Sequence, residues 1–498
     1  MRFGIARIPS LIVIALLGSA LMLLPALDAL RSEDWQAVQA FSQSAVVLIV
    51  ILMTLGLASN VAEHRLTDHS RLLVLVAAYL ILPAVFSLPI YLLLPEMSLF
   101  QIYSEMLSCF TTTGFAMLGH GPEISQSIHL WRAIVGWGGG LFTLVAVFSI
   151  LRPIGLGGFE MRESELAAVR QVNISSSGMH GGTLWDVLKV IAPVYSIATA
   201  LLCLGLLLAG DEAIDALIHA MSTLATSGII RGEHFASQAG FAGELLIFLF
   251  LIFAISGRGF LARNLTAFRR ILLNPEIRFA LMIIAGFALL LVLRHWLARA
   301  PEDLEHEGGA FLRAVWADIF TLASFLSTLG YESTAWEGAL EWSGLEVPGM
   351  LLLGLCVVGG GVASTAGGIK LLRIYALYQH GLREIERLLI PNSVGGSKGV
   401  TRHFRKEGAV MAFGFAMLLL FAVAIFTLLL GLSGLSFEES LASTVAAVSN
   451  TGPAVNALGS FDVSTLTTTQ YALIDLAMLL GRLEVLVIVA IMMPEFWR

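Results

Sequence analysis

The chain has 498 residues, of which 57% are hydrophobic and only 13% are charged, and its formal net charge is −7. Soluble globular domains carry about 25% charged residues, so this composition excludes an ordinary soluble protein and indicates a polytopic membrane protein. The cysteines Cys109, Cys203 and Cys356 lie in apolar stretches without a C-x-x-C pair. Neither a disulfide framework nor a zinc site is predicted.

Hydropathy predicts ten membrane spans, approximately at residues 8–27, 38–58, 71–94, 129–151, 184–209, 242–262, 276–298, 347–378, 407–431 and 467–493. The first span follows Arg2 and Arg7 but has no A-x-A cleavage motif, so we predict a retained span and not a signal peptide. Most Lys and Arg residues fall in loops on the side of the N-terminus, while Arg258 and Arg482 fall inside spans. The positive-inside rule therefore predicts that both termini are cytoplasmic.

A short polar turn that ends in glycine occurs four times. Residues 111–114, 225–228, 327–330 and 449–452 read T-T-T-G, A-T-S-G, S-T-L-G and S-N-T-G, and their glycines are 114, 102 and 122 residues apart. Each turn follows a short helical stretch and lies between two apolar runs. This recurrence predicts one structural unit used four times.

Polar turns beside membrane spans have to be buried in protein or line a water-filled cavity, because lipid cannot satisfy their backbone groups. Four turns around one axis would place carbonyl oxygens in a ring, and such rings replace the hydration shell of a monovalent cation. An excess of acidic residues in the outer loops would concentrate cations there. We therefore predict a cation filter at Thr112, Thr113, Gly114, Thr226, Ser227, Gly228, Thr328, Leu329, Gly330, Asn450, Thr451 and Gly452.

The predicted fold is an all-α polytopic membrane protein with four pseudo-symmetric helix–pore-loop–helix repeats around one pore and two extra N-terminal transmembrane helices. The N-terminal hairpin covers residues 1–70, and the repeats cover 71–182, 183–274, 275–405 and 406–498. Within the third repeat, residues 359–368 read G-G-G-V-A-S-T-A-G-G in the middle of a span. Because glycine is a poor helix former, we predict a broken helix there, beneath the turns.

The chain resembles the TrkH/KtrB family of potassium transporters. The resemblance is carried by G-G-G-V-A-S-T-A-G-G-I-K-L-L-R in the third repeat, by G-R-L-E-V-L near the C-terminus, and by T-T-G-F with the later W-R-A-I-V-G-W-G-G-G. It implies potassium uptake across the bacterial cytoplasmic membrane, a homodimer, and a cytosolic TrkA-like ring of RCK subunits that binds the nucleotide and controls opening. Potassium is then the substrate, and no cofactor is implied on this chain.

In that family the broken third inner helix is a loop that obstructs the pore, and the arginine of G-R-L-E projects into the permeation path. The resemblance carries these gating roles to Gly359, Gly360, Gly361, Ser364, Thr365, Gly367, Gly368 and Arg482. Asp475, seven residues before Arg482, is an indirect candidate partner for the arginine. Turns two and three read T-S-G-I and T-L-G-Y, which departs from the family pattern and leaves the ion preference open.

Two other functions compete with a potassium pore. A Na⁺- or H⁺-coupled secondary transporter would be expected to show two inverted halves, whereas the four units here run parallel. A membrane-embedded enzyme would draw on Glu63, His64, Asp68 and His69, but the histidines are five residues apart and not four, as H-E-x-x-H requires. We predict no enzyme and no nucleic-acid partner. The basic connection 370–406 is a candidate surface for a soluble partner or anionic membrane lipid.

Overall fold

The computed structural model describes residues 9–59, 68–119, 124–151, 184–232, 235, 237–261, 274–298, 308–343, 348–389 and 402–484. Within these ranges the chain forms α-helices with short 3₁₀ and π segments, and it contains no strand. Seven helices in the described part are long and apolar enough to cross a membrane. The predicted all-α, multi-pass class is confirmed.

The N-terminal segment folds as a hairpin of three helices: α1 (Ser10–Leu21), α2 (Leu23–Arg31) and α3 (Trp35–Ala58). The Asp34 carboxylate accepts a hydrogen bond from the Ala37 N–H at 3.1 Å, which caps the start of α3. Both α1 and α2 pack along α3, and the hairpin also packs on the helices of the segment that follows.

The segment that holds the first turn contains α4 (Asp68–Phe86), α5 (Leu88–Leu93), the short helix α6 (Leu99–Phe110) and α7 (Gln126–Ala146), which continues as a π segment (Val147–Leu151). The segment of the second turn contains α8 (Leu184–Ala209), the short helix α9 (Ala213–Ala225), α10 (Gly240–Phe250), α11 (Ile252–Ile255) and a 3₁₀ segment (Gly257–Leu261). Each of these two turns therefore follows directly on a short helix, as predicted.

The segment of the third turn contains α12 (Pro275–Ala298), α13 (Gly308–Leu326), α14 (Trp336–Ser343), α15 (Gly349–Val358) and α16 (Leu371–Leu389). The segment of the fourth turn contains α17 (Arg402–Leu432), the short helix α18 (Phe437–Val448), 3₁₀ segments (Gly452–Leu458 and Val463–Thr465) and α19 (Thr468–Leu483). A capping box between Ser436 and Glu439 starts α18.

Three predicted spans are not single long helices. The span 242–262 is interrupted after Ile255, and the span 347–378 is divided into α15 and α16. The helix of the span 467–493 ends at Leu483, and residues from 485 lie outside the described part. Hydropathy averages over a window, so it does not register a local break at Ser256-Gly257. Arg132 also lies inside a span, because it is buried within α7.

Candidate ion pathway

The four predicted turns have the same backbone geometry. Their second residue lies in the left-handed region in every case, with φ of 56°, 51°, 61° and 53° at Thr112, Thr226, Thr328 and Asn450. In each turn the following residue donates its N–H to the carbonyl five residues earlier, at 2.8 to 3.0 Å. A positive φ is a strained conformation for a β-branched residue such as threonine. Four such turns at matching sequence positions indicate that their shape is specified and not incidental.

The turns contact one another in chain order. A Cβ atom built onto each of the four glycines would lie very close to the neighbouring turn, which shows how near the turns are to one another. From Gly114 and Gly228 this Cβ would lie 1.8 Å from Ser227 O and 2.6 Å from Leu329 O. From Gly330 and Gly452 it would lie 3.2 Å from Thr451 Cγ2 and 2.7 Å from Thr113 O. The Gly452 N–H also donates to Thr113 O at 2.6 Å. The first turn therefore contacts the second, the second the third, the third the fourth and the fourth the first.

Glycine is required in these turns for two different reasons. Gly114, Gly228 and Gly330 have φ of +79°, +65° and +79°, which other residues rarely adopt. Gly452 instead begins a 3₁₀ segment, and only the close approach of the first turn excludes a side chain there. Leu329 is fully buried and its side chain carries no polar group, so the one oxygen that it can offer an ion is its backbone carbonyl.

Polar side chains in the turns are buried, and most of them bond within the ring. Asn450 Nδ2 donates to Thr113 Oγ1 at 3.0 Å and to Met478 O at 3.1 Å. Within the described part of the chain, Thr112 Oγ1 and Asn450 Oδ1 are buried without a hydrogen-bond partner. Unsatisfied oxygens are costly in a membrane-embedded site unless water or an ion contacts them.

The predicted break in the third inner helix is present between α15 and α16. The connecting loop, residues 359–370, has positive φ at Gly359, Ala363, Gly368 and Lys370. Its two ends meet, because the Ile369 and Lys370 N–H groups donate to Val357 O and Val358 O at 2.9 and 3.1 Å. The backbone groups released by the break are thus bonded again locally, as burial in a membrane protein requires.

This loop touches the bases of three turns. Thr365 Oγ1 donates to Leu224 O at 3.1 Å, just before the second turn. The Gly367 N–H donates to Thr328 Oγ1 at 2.9 Å, within the third turn. A Cβ atom at Gly367 would lie 1.8 Å from Ser449 O at the start of the fourth turn. The loop therefore crosses directly next to the ring.

Arg482 joins the loop to the first inner helix. Its Nη1 donates to Thr365 O at 2.6 Å, and its Nε donates to Thr143 Oγ1 on α7 at 3.0 Å. Nη2 is buried and has no hydrogen-bond partner among the described residues. Asp475, the candidate partner, accepts a hydrogen bond from Ser104 Oγ at 2.7 Å and bonds to a different element, so the prediction that it serves Arg482 is wrong.

The other side of the loop lies against the interrupted second inner helix. The Gly361 N–H donates to Ala254 O at 3.0 Å, and the Val362 N–H donates to Glu276 Oε1 at 3.2 Å. Asn274 Nδ2 bonds both Glu276 Oε2 and Ser256 Oγ, at 2.9 and 3.0 Å. The break at Ser256 and the loop are therefore one connected structure.

A small cavity is lined by the loop and by the ends of the first and fourth inner helices, with Thr143, Ser364, Lys370, Arg482 and Glu484 as its polar residues. Lys370 Nζ donates to Ala366 O within the loop. Below it, Glu484 accepts a hydrogen bond from the fully buried Arg373 at 2.9 Å, and the Arg373 guanidinium lies 3.8 Å from the Phe415 ring centroid.

A scan of protein families matches residues 38–496 to the TrkH family, described as a cation transport protein. The chain belongs to the TrkH family. The Trk system potassium uptake proteins TrkH of Salmonella typhimurium and Escherichia coli K12 are 28% identical to it over 99% of both chains. The TrkG protein of E. coli K12 is 26% identical over 79% of this chain and 78% of its own. The crystal structure of TrkH from Vibrio parahaemolyticus has a TM-score of 0.76 at 24% identity and covers 98% of each chain, which shows the same fold.

Family membership confirms the predicted resemblance and makes the chain a cation transporter, not an enzyme. Glu63 and His64 lie outside the described part, as do the side chains of Asp68, His69 and Arg258. His219 is buried, and its ring centroid lies 5.0 and 6.0 Å from those of Phe235 and Tyr331, which stack on each other.

Sequence reasoning missed several residues at this site. Thr143 contacts Arg482, Glu276 contacts the loop, and Glu484 lines the cavity beside them, but each is one polar residue within an apolar or unpatterned stretch. A charged residue inside a predicted span was the one available signal, and among these residues it applied to Glu276 and Glu484.

Proposed function

We propose that this TrkH-family chain mediates potassium uptake through a selective pore whose filter is the ring of four turns. The observation that carries the proposal is the closed chain of contacts from each turn to the next, together with the shared left-handed geometry of their second residues. A potassium ion would exchange its hydration shell for backbone carbonyls of the ring. The names of the relatives, all Trk system potassium uptake proteins, support the choice of ion.

The altered third turn is compatible with this function. Carbonyl ligation depends on the backbone, and the third turn has the same φ at Thr328 and the same N–H to carbonyl bond at Leu329 as the other turns. The buried Leu329 side chain replaces a hydroxyl without changing the direction of the main chain. Potassium preference is therefore expected despite the T-L-G-Y sequence.

The loop at 359–370 acts as the gate in this proposal. It lies against three turns, so an ion that leaves the ring meets the loop before it can go further. Arg482 adds a fixed positive charge at the same place, which raises the energy of a passing cation. Opening requires the Arg482 to Thr365 bond and the Gly361 to Ala254 bond to break.

Control by a cytosolic nucleotide-binding ring, in a homodimer, completes the proposal. The loop continues directly into α16, whose 19 residues are strongly amphipathic and lead into the basic connection up to Lys406. A partner that binds this connection could move α16 and pull on the loop through Lys370. The two-state element that such control needs is the loop itself. In this proposal the protein lies in the bacterial cytoplasmic membrane with both termini inside.

Purified protein in liposomes, with and without its cytosolic partner, tests the proposal. We expect uptake of radioactive rubidium that potassium inhibits and sodium does not, and growth rescue of cells that lack potassium uptake. Flux that requires a sodium or proton gradient would support a coupled carrier and contradict the pore. Equal permeability to potassium and sodium would contradict the filter.

A further inference from the structure

Behind the first turn lies a buried carboxylate that is bonded both by the chain leaving the turn and by an arginine of α7. Glu105 on α6 is 0% exposed, and its Oε2 accepts the Leu118 N–H at 3.1 Å. Its Oε1 accepts the Arg132 Nε at 2.5 Å. Arg132 in turn donates through Nη2 to Phe115 O, directly after Gly114, at 3.4 Å. The ion pair is thus hydrogen-bonded to both ends of the segment 115–118.

A second buried carboxylate does the same for the third turn. Glu244 on α10 is 1% exposed, and its Oε1 accepts both the backbone N–H and the hydroxyl of Thr334 at 2.8 Å. Ser333 Oγ bonds both carboxylate oxygens at 3.0 Å. The indole Nε1 of Trp316 donates to Oε2 at 2.7 Å. The donors to Glu244 are neutral groups, whereas Glu105 has an arginine.

The two carboxylates act at equivalent positions. Leu118 and Thr334 each lie four residues after the glycine of their turn, and the first and third turns are opposite one another in the ring order. These two turns also share a serine bond that the others lack: Ser108 Oγ and Ser324 Oγ accept the N–H directly after the glycine at 2.7 and 2.6 Å. The two carboxylates come from helices at different places in their repeats. What they share is therefore the backbone position that they bind, and not their own position in the sequence of the repeat.

We propose that Glu105 and Glu244 are positioning residues that set ion selectivity, each by holding the segment that leaves one of two opposite turns. The inference rests on the proposed potassium filter. A buried carboxylate is costly unless its partners are complete, and here both oxygens of each carboxylate are bonded. Because a filter distinguishes ions by carbonyls held in place, release of one anchored segment lets its turn adapt to a smaller ion.

The variant Glu244→Gln tests this proposal, and a second substitution is expected to restore the selectivity that it loses. An amide has one acceptor oxygen and one donor NH₂, so a glutamine at 244 has to direct its NH₂ at the donor of either Thr334 or Trp316. We expect the potassium-to-sodium permeability ratio to fall about tenfold, which corresponds to about 1.4 kcal/mol. Adding Trp316→Phe removes one competing donor and should restore most of the ratio, since the amide oxygen can then accept the Thr334 N–H.

A matched control is Asp211→Asn. Asp211 is also a buried carboxylate that accepts a backbone N–H, from Ala239 at 2.9 Å, but Ala239 lies eleven residues after the glycine of the second turn. This variant should lower thermal stability and leave the permeability ratio at the wild-type value. An equal loss of selectivity in Asp211→Asn and Glu244→Gln would show a general effect of buried carboxylates and overturn the proposal.

For the first turn, Glu105→Gln should lower the ratio. In the neutral pair Glu105→Gln with Arg132→Met the amide oxygen can accept the Leu118 N–H, but the Arg132 bond to Phe115 O is lost, so stability should recover more completely than selectivity. A measurement on the wild-type protein covers the case in which these variants do not assemble. The Leu118 and Thr334 amides should exchange with deuterium much more slowly than amides of the outer loops, and fast exchange at both would overturn the proposal. A wild-type protein without potassium preference would refute the filter itself, whereas a selective wild type with selective variants would refute only this inference.

Discussion

Two effects exclude a side chain from the ring: backbone strain at a positive φ, and a contact with the neighbouring turn. Alanine substitutions at Gly114, Gly210 and Gly452 can separate them. In Gly114→Ala the new residue is placed at φ +79°, and its Cβ lies 1.8 Å from Ser227 O. The strain of the left-handed conformation costs about 1–2 kcal/mol. The contact is more serious, because Cβ contacts under 3.0 Å are essentially never found. The second turn has to move by roughly 1 Å, about twice the tolerance of a binding site.

Gly210 and Gly452 isolate these two effects. Gly210 has φ +110° and open space around its Cβ position, so Gly210→Ala adds strain without a contact. Gly452 has no positive φ, but a Cβ atom there would lie 2.5 Å from the Gly114 carbonyl carbon, so Gly452→Ala adds the contact without that strain. We expect Gly114→Ala and Gly452→Ala to lose potassium selectivity, and Gly210→Ala to lose only stability.

The assay is the ratio of potassium to sodium permeability in liposomes, with the amount of assembled protein and its thermal stability measured in parallel. A selective Gly452→Ala protein would refute the reasoning, because it would mean that the close packing of the turns does not fix the ion site. Loss of selectivity in Gly210→Ala, far from the ring, would equally show that the ratio reports general damage.

Three further variants address the gate and its support. Arg482→Ala removes a fixed charge and the bond to Thr365 O, so rubidium flux should rise; reduced flux at normal assembly would indicate a structural arginine. Deletion of 361–363 removes the loop's bonds to Ala254 and Glu276 and should give flux independent of the cytosolic partner, whereas a tightly closed deletion variant would exclude the loop as the gate. Arg373→Met leaves Glu484 without this partner and should cost about 3–5 kcal/mol of stability, and adding Glu484→Gln should recover most of the lost melting temperature.

The parts of the site that sequence could predict are those with a local signature. The turns were predictable because a glycine two residues after Thr or Asn recurs four times at similar spacing. The break between α15 and α16 was predictable because several glycines within ten residues cannot sustain a helix. The family followed from strings of residues that occur together. Each of these signals lies within one stretch of chain.

Contacts between distant stretches were not predictable. Arg132 appears in the sequence as one charge in an apolar run, and only the fold brings it to Glu105, 27 residues earlier. Likewise, heptad spacing suggested Asp475 for Arg482, but the arginine side chain extends instead to Thr143 and Thr365, 339 and 117 residues away in sequence. Periodicity reports the face of a helix and not the element that packs against it.

The points at which the inner helices lose α-helical geometry constrain how the proposed gate can open. Within the described residues they are Val147, Ser256, Gly359 and Glu484, each 28 to 33 residues after the glycine of its turn. The loop fits against the second of them so closely that a Cβ atom at Gly257 would lie 1.7 Å from Ala363 O. Since packed backbones of this kind cannot slide past one another without separating, the loop cannot move while the second inner helix stays in place. In the proposed gating, opening has to separate the loop from residues 254–257 as well as from Arg482, and the proposed partner acting on α16 has to supply free energy for both steps.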